Sequence, residues 1–347
     1  MGHRLKLGLN LASLVCLFGA LFLFDRFGSA YQVRILNNMA IFITLAVSYN
    51  LINGVCGLLH LGPNAFIAIG AYTSALLTMS PAEKQMNFII EGLVWPLNVI
   101  HVPFGVSLLA AGFMAAAFAF VISFPVFRVR GDYLAIVTFG FGEVVRVLCN
   151  AAQSLTNGSL GLKGLAEHTN LWWAWGVAAV TIVAIKKLVD SSYGRAMKAL
   201  REDETAARAM GIDPFRNLLL AFMISAFFSG VGGGLLAHLI TTISPTLFTF
   251  MLTFNLLIII VVGGLGSTTG AVLGAALFAW GGEALRIVEN PIDLGFVTIP
   301  GIPGMRMVMF SLILMLVIIF ARKGLLGRRE FSWDFVAGKM KRLGGGR

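Results

Sequence analysis

The chain has 347 residues, of which 58% are hydrophobic and only 12% are charged, and its mean hydropathy is +0.86. A soluble domain carries about 25% charged residues, so a chain this apolar cannot cover itself with polar surface in water. The net charge of +10 fits membrane topology signals, and no nucleic-acid partner is expected. Continuous apolar runs of about twenty residues exclude a β-barrel, whose strands alternate in polarity.

Apolar runs of membrane-spanning length recur along the chain and predict an all-α, polytopic transmembrane helical bundle of about ten spans. The first run follows a basic N-terminus but is too long for a signal peptide, so we expect it to be retained as a span. The predicted spans cover roughly residues 7–24, 36–53, 63–80, 104–124, 133–152, 171–188, 217–241, 248–264, 269–285 and 305–320.

The basic residues are distributed unevenly between the loops of this bundle. Most of the 26 Lys and Arg residues fall before the first span, between the fourth and fifth spans, around a charged loop at 191–216, and after the last span. By the positive-inside rule these segments are cytoplasmic, so both termini are expected in the cytoplasm. We therefore predict a transmembrane domain at 1–327, with the charged loop projecting from it, and a basic cytoplasmic tail at 328–347.

Glycine and proline interrupt the hydrophobic sequence once in each half of the chain. Residues 54–62 read GVCGLLHLG and precede Pro63, and residues 263–270 read GGLGSTTG. Paired interruptions indicate a transport path, because non-helical backbone at membrane depth is tolerated only where protein or water covers it. The alternatives are two tight turns between ordinary hairpin helices, or close packing of small residues.

The fifth predicted span, DYLAIVTFGFGEVVRVLCNAA, contains two charged residues. Glu143 and Arg146 are three residues apart, so they share a helix face and can pair. A charge near mid-membrane costs about 2.5–3.5 kcal/mol and usually faces the bundle interior or water. The pair either lines a translocation path or joins two helices. The candidate path residues are Gly57, His60, Gly62, Asn64, Gly140, Glu143, Arg146, Gly263, Gly264 and Gly266.

The residue patterns of catalytic and metal sites do not occur in the sequence. Cys16, Cys56 and Cys149 lie in apolar runs and are not spaced as metal ligands or as a redox pair. No H-E-x-x-H motif supports an intramembrane enzyme, and no G-x-x-x-x-G-K-[ST] loop is present to bind nucleotide. No catalytic residue, metal or cofactor is predicted for this chain, and ATP-driven transport would require a separate ATPase polypeptide.

The charged loop reads SSYGRAMKALREDETAARAMGIDPFR over residues 191–216. So polar a segment cannot lie in hydrocarbon and must project into water. Ser191 or Ser192 can cap a first short helix, and Asp203 can cap a second that ends at Gly211 before Pro214. Met197 and Leu200 would be the apolar residues of the first helix, and Ala206, Ala207 and Met210 those of the second. Such helices suit a groove on a soluble partner; the alternative is an amphipathic loop lying on anionic lipid.

Four sequence blocks carry a family resemblance: NLINGVCGLLHLGPNAFIAIGAY at 50–72, RGDYLAIVTFGFGEVVRVL at 130–148, SSYGRAMKALREDETAARAMGID at 191–213 and VVGGLGSTTGAVLGAALF at 261–278. Together they resemble the LivM-type permeases of branched-chain amino-acid ABC transporters. The third block resembles the loop by which ABC permeases engage their ATPases. It departs from the general importer pattern, because Glu204 is followed by Thr205 before Ala206 and Ala207. Pro63 and Asn64 also stand where family members commonly have a histidine or glutamine and then small residues. If that position shapes the substrate contact, the departure puts the family's specificity in doubt for this chain.

This resemblance implies a heteromeric importer in the bacterial inner membrane. Its partners would be a homologous LivH-type permease, two cytoplasmic ATPase subunits that bind ATP and Mg²⁺, a periplasmic protein that delivers leucine, isoleucine or valine, and membrane lipid. A related importer for urea or short-chain amides, or a carrier that works alone on an ion gradient, are the alternatives. The residues expected to couple to the ATPases are Gly194, Arg195, Ala199, Arg201, Glu202, Asp203, Glu204, Ala206, Ala207, Met210 and Gly211.

Overall fold

The computed structural model describes residues 18–284 except 20, 90 and 130, together with 292–293, 298–299, 305, 308, 311–312, 315, 319–320, 324–327 and 330. Within these residues the chain is almost entirely helical, as predicted. The helices are α1 Ala30–Asn50, α2 Pro63–Thr78, α3 Pro81–Asn87, α4 Phe104–Val126, α5 Asp132–Ala151, α6 Gln153–Thr156, α7 Leu171–Asp190, α8 Ser192–Glu202, α9 Glu204–Ala209, α10 Pro214–Ile240, α11 Phe250–Gly263 and α12 Thr268–Ala284. Four two-residue strands form the antiparallel pairs β1 Leu162–Lys163 with β2 Thr242–Ile243, and β3 Ile292–Asp293 with β4 Thr298–Ile299.

Five of the described helical segments are long and apolar enough to cross a membrane, which makes the chain a multi-pass membrane protein. They correspond to the predicted spans at 36–53, 104–124, 133–152, 171–188 and 217–241. The predicted spans at 248–264 and 269–285 correspond to α11 and α12, which pass the same test only as one pair bent by 120°. The predicted spans at 7–24 and 305–320 lie mainly outside the described residues. The total of about ten spans therefore stays a prediction.

Helix α2 matches the predicted span at 63–80 but is too short to cross a bilayer by itself. Its 16 residues extend about 24 Å at 1.5 Å per residue, whereas the hydrocarbon layer is about 30 Å thick. The non-helical segment at 57–62 leads into the N-terminal end of α2, and His60 and Gly62 within it are buried. The first glycine-rich interruption is thus a break in a helical path through the bundle.

Helix α10 lies at the centre of the bundle and packs against α2 and α4 through small residues. A Cβ atom at Gly70 of α2 would lie 2.1 Å from the Gly230 carbonyl oxygen, and one at Gly233 would lie 2.1 Å from the Ile67 carbonyl oxygen. On another side of α10, a Cβ at Gly230 would lie 2.7 Å from the Ala111 carbonyl oxygen. Without side chains at these positions the helix backbones approach closely, which is how transmembrane helices gain packing contacts.

The loops gather at two ends of the bundle. At the end that carries α8 and α9, the breaks at 54–62 and 263–270 lie beside the charged loop. At the opposite end, β1 pairs with β2, and the Asn87 side chain bonds to the backbone of Lys163. This division agrees with the predicted alternation of loops between two sides, although which side faces the cytoplasm stays a prediction.

Lys84 of α3 organises the loop at the opposite end. The residue is only 2% exposed, and its Nζ donates hydrogen bonds to the carbonyl oxygens of Leu97 at 2.7 Å and Ile100 at 2.5 Å. Burial lowers the pKa of this ammonium group, because the two carbonyls replace only part of its water shell. Lys84 therefore fixes the chain between α3 and α4.

Replacing Lys84 with methionine keeps the aliphatic stem and removes both hydrogen bonds. We expect the loop at 96–103 to lose about 1–3 kcal/mol of local stability, since two carbonyls lose their donor. Hydrogen exchange of the loop amides in lipid nanodiscs measures this directly. Lys163→Met, at an exposed position of the same end, is the control and should leave these exchange rates unchanged. Equal exchange in both variants would contradict the role of Lys84.

Candidate functional site

The first break begins where α1 widens into a π-helical segment at Leu51–Val55. Asn53 holds the extended chain that follows: its Nδ2 donates to the His60 carbonyl oxygen at 3.3 Å, and its Oδ1 accepts from the His60 amide at 3.4 Å. The Tyr49 hydroxyl donates to the same carbonyl at 2.6 Å, and the Leu61 amide donates to Thr138 Oγ1 of α5 at 3.0 Å. Side chains thus satisfy backbone groups that a helix would have satisfied internally.

The second break is the link of four residues between α11 and α12, and Asn50 holds it in the same way. Asn50 Nδ2 donates to the Ser267 carbonyl oxygen at 3.2 Å, and the Gly266 amide donates to Asn50 Oδ1 at 2.9 Å. Asn50 and Asn53 lie about one helical turn apart along the chain, so two neighbouring side chains hold both breaks in place. The sequence predicted the two breaks; the asparagines that hold them were missed.

The two breaks also touch each other directly. A Cβ atom at Gly54 would lie 2.3 Å from the Gly266 nitrogen. Within the second break, a Cβ at Gly263 would lie 2.0 Å from the Gly270 carbonyl oxygen. Gly264 and Gly266 have φ values of +119° and +85°, which side chains other than glycine rarely adopt. The glycines at these positions are therefore required both for backbone conformation and for close approach.

Residues near the C-terminus close the second break from another side. The Leu325 amide donates to the Val262 carbonyl oxygen at 2.8 Å. The Glu330 carboxylate accepts from the Thr268 amide at 2.6 Å, and also from the amide and hydroxyl of Thr269 at 3.2 and 2.6 Å. A carboxylate is favourable there because the first amides of α12 lack helical partners. Glu330 belongs to the predicted tail, yet it contacts the bundle.

The charged loop folds into the two capped helices that the sequence predicts. Ser191 Oγ accepts from the Gly194 amide at 3.5 Å to begin α8. Asp203 Oδ1 accepts from the amides of Thr205 at 2.8 Å and Ala206 at 3.0 Å to begin α9. Gly211 follows with a φ of +82°, and Pro214 starts α10. The loop is therefore a folded element with defined faces.

The coupling candidates divide between the face of the loop that packs on the bundle and the face that is exposed. In α8, Met197 and Leu200 are buried, and Gly194 is so close to α7 that a Cβ would lie 2.2 Å from the Val189 carbonyl oxygen. In α9, Ala207 is buried, whereas Met210, directly after this helix, is 83% exposed. The expectation that Ala206, Ala207 and Met210 form one apolar side is corrected: a short helix turns Ala206 and Met210 away from the bundle. Also exposed are Arg195, Glu202, Asp203 and Gly211, while Ala199, Arg201 and Glu204 are half-buried.

Helices α2 and α5 meet along a seam that contains polar atoms without partners. A Cβ at Gly62 would lie 2.2 Å from the Thr138 carbonyl oxygen, and one at Gly142 would lie 2.5 Å from Asn64 Oδ1. Asn64 Nδ2 donates to the Phe248 carbonyl oxygen at 3.1 Å. Among the described residues, nothing hydrogen-bonds to Asn64 Oδ1, His60 Nδ1 or the Tyr72 hydroxyl, all of which are buried. The seam and its end near the first break thus contain three buried polar atoms that have no hydrogen-bond partner among the described residues.

The predicted pair on α5 is formed. Arg146 Nε lies 2.7 Å from Glu143 Oε2, with the side chains 33% and 29% exposed. An ion pair that is one-third exposed within a span cannot face hydrocarbon, so water or another protein must cover this face. Gly142 allows close approach of α5 to α2, whereas a Cβ at Gly140 would meet no described atom within 4 Å.

Comparison with known proteins places these features in a family. The family model described as "Branched-chain amino acid transport system / permease component" matches residues 31–321. The chain belongs to this permease family. Both breaks, the seam, the ion pair and the charged loop fall within the matched residues.

Two curated relatives illustrate the similarity of this permease-family chain. It is 36% identical over 280 residues to the high-affinity branched-chain amino acid transport system permease protein LivM of Escherichia coli (strain K12), covering 71% of this chain and 61% of the relative. It is 24% identical over 310 residues to the permease protein LivH of the same organism, covering 82% of this chain and 91% of LivH. The chain thus spans less than two thirds of the LivM relative. No solved structure matches it.

Contact between the breaks of the permease can be tested with a matched pair of glycine substitutions. Gly54→Ala would place a methyl group 2.3 Å from the Gly266 nitrogen of the second break, so we expect a loss of roughly 2 kcal/mol or more through overpacking. Gly176→Ala, within α7, meets no described atom within 4 Å and should be neutral or slightly stabilising. Thermal unfolding in detergent compares them. Equal melting temperatures of the two variants would contradict direct contact between the two breaks.

Proposed function

We propose that the chain is a transmembrane permease subunit of an ATP-driven importer for branched-chain amino acids. The observation that carries this proposal is a folded, two-helix loop that is attached to two breaks in the membrane bundle. Membership of the permease family and similarity to proteins named as branched-chain amino acid transport permeases support the cargo class. In this role the chain is not an enzyme, and it holds no cofactor of its own.

The exposed face of α8 and α9 is the proposed docking surface for the ATPase subunits. One face of the loop is anchored to the bundle, so a force applied to the other face moves the bundle rather than a flexible loop. Met210 provides an exposed apolar side chain within a charged rim, a combination that suits a groove on a soluble partner. ATP and Mg²⁺ would be bound by two such partners, because this sequence has no phosphate-binding loop.

The seam between α2 and α5 is proposed to form part of the translocation path. A buried polar atom without a partner costs about 1–3 kcal/mol, so three of them along one seam favour a state in which the seam opens to water or to polar cargo. Asn64 Oδ1 and the Tyr72 hydroxyl could then accept hydrogen bonds from an amino acid's ammonium group. His60, Gly62 and Thr138 would line the end of the seam near the first break.

The remaining partners follow from the exposed surfaces. A homologous permease of the LivH type would cover the α5 face that bears Glu143 and Arg146, which is unsuited to lipid. A periplasmic binding protein would deliver cargo at the end formed by α3, β1 and β2, where a cavity of about 370 Å³ is lined in part by Glu83, Asn87 and Lys163. With the basic loops inside, the termini would lie in the cytoplasm, and the membrane would be the bacterial inner membrane.

Two exposed methionines at opposite ends of the bundle provide a test of ATPase docking. Met210 is 83% exposed on the loop, and Met86 is 75% exposed at the other end. Met210→Glu places a charge in the proposed contact and should reduce co-purification of the ATPase subunits about tenfold or more, as expected for a disrupted apolar anchor. Met86→Glu should leave ATPase binding unchanged. The reverse pattern would overturn the assignment of the loop.

Two buried asparagines provide a matched test of the path. Asn64 and Asn37 are 2% and 3% exposed, each donates one hydrogen bond to a backbone carbonyl, and each has an Oδ1 without a partner among the described residues. Leucine at either position removes one hydrogen bond to a backbone carbonyl, which is worth about 1 kcal/mol. We expect Asn64→Leu to reduce leucine uptake in proteoliposomes well beyond its effect on thermal stability, because it removes a proposed cargo contact.

Asn37→Leu is the control for this test, since Asn37 lies on α1 and bonds to Thr169 outside the seam. It should lower stability to a similar extent and leave the uptake rate per assembled complex unchanged. Equal uptake by the two variants would exclude Asn64 from the path. Competition of uptake by unlabelled leucine, but not by urea, identifies the cargo; competition by urea alone would favour an amide importer.

A further inference from the structure

Arg201 connects the charged loop to the first break. Its Nη1 donates a hydrogen bond of 2.8 Å to the carbonyl oxygen of Gly54, which lies 147 residues earlier in the chain. Gly54 is in the last turn of the π-helical segment at Leu51–Val55, where carbonyl groups lack a helical donor. A hydrogen bond from a guanidinium group is among the stronger ones available to such a carbonyl.

The Arg201 side chain is enclosed by three glycines from the two breaks. A Cβ at Gly57 would lie 2.2 Å from Arg201 Cγ and 2.7 Å from Cδ, so the stem lies directly on the backbone of the first break. A Cβ at Gly266, in the second break, would lie 3.3 Å from Arg201 Nη1. Any side chain at Gly57 would displace the arginine. The site is thus shaped for this one side chain.

The other described cations of the loop make local contacts. Arg195 and Lys198 bond to the carbonyl oxygens of Asp190 and Val189 at the end of α7. Arg208 pairs with Glu204, and Arg216 pairs with Asp213. Arg201 pairs with Glu202 through Nη2 at 2.7 Å and in addition reaches both breaks. All these cations carry the same charge, so charge alone does not explain why Arg201 lies against the two breaks.

We propose that Arg201 is a positioning residue that transmits movement of α8 to both breaks. This inference rests on the proposed function and deepens it. A planar guanidinium group held by a carbonyl, a carboxylate and a glycine surface has little rotational freedom, so it moves with its helix. Displacement of α8 shifts the Gly54 carbonyl, and the Asn50 side chain carries this shift to Gly266. The seam beside the first break then opens or closes with the state of the ATPases.

The test measures leucine uptake per ATP hydrolysed, with the full complex in proteoliposomes. Arg201→Gln keeps a polar side chain but loses the rigid fork, and we expect the ratio to fall about tenfold, within the range of coupling free energies between sites. The stimulation of ATP hydrolysis by loaded binding protein should fall similarly. Arg201→Lys keeps the charge and should restore part of both. Lys187→Gln, at an exposed position near the same end, should leave both unchanged.

Several outcomes separate this proposal from simpler explanations. If uptake and hydrolysis by Arg201→Gln fall in proportion to the amount of assembled complex, Arg201 has a merely structural role and the proposal is overturned. It is also overturned if the ratio is unchanged. If Arg201→Gln does not assemble, Arg201→Lys decides, since it keeps the charge but lacks the planar fork. It should lower the ratio of uptake to hydrolysis in part, and an unchanged ratio would overturn the proposal. If the unaltered complex binds no ATPase, the proposed function itself fails.

Discussion

Two asparagine side chains hold both breaks of this structure in place: Asn50 at the end of α1 and Asn53 in the π-helical segment that follows it. Asn50 and Asn53 each use both carboxamide atoms to bond a donor and an acceptor of non-helical backbone. An unsatisfied backbone group in hydrocarbon costs several kcal/mol, so a break in a membrane helix survives only if neighbouring protein supplies its partners. Placing both asparagines one turn apart brings the two breaks to the same point of the bundle.

The glycines where the two breaks meet also leave space for neighbouring groups, a role that is distinct from their conformational freedom. At Gly54, Gly57 and Gly266 the missing side chain leaves space that another part of the chain fills, and that part is either the other break or Arg201. A carboxylate from near the C-terminus, Glu330, caps the helix that leaves the second break. Four segments remote in sequence therefore meet around one small region, which is where a force from outside the membrane would have the widest effect.

Local features of the site were predictable from sequence because they depend on residues a few positions apart. The caps at Ser191 and Asp203, the stop at Gly211 and the pairing of Glu143 with Arg146 are all of this kind. The faces of α9 were predicted wrongly, because its six residues are too few for periodicity to indicate which alanine is buried. Gly140 and Gly142 show the same limit, since only the second lies opposite α2.

The sequence by itself determined the class of protein, the two interruptions and the folded loop, because hydrophobic length, glycine content and capping residues are encoded locally. Only the tertiary structure decided that the interruptions touch, that Asn50 and Asn53 hold them, and that Arg201 reaches them from α8. These contacts join residues that lie far apart along the chain, and no short pattern records which glycine faces which partner. Helix packing determines that choice, because a side chain gains a remote hydrogen bond only after the bundle has brought its partner within reach.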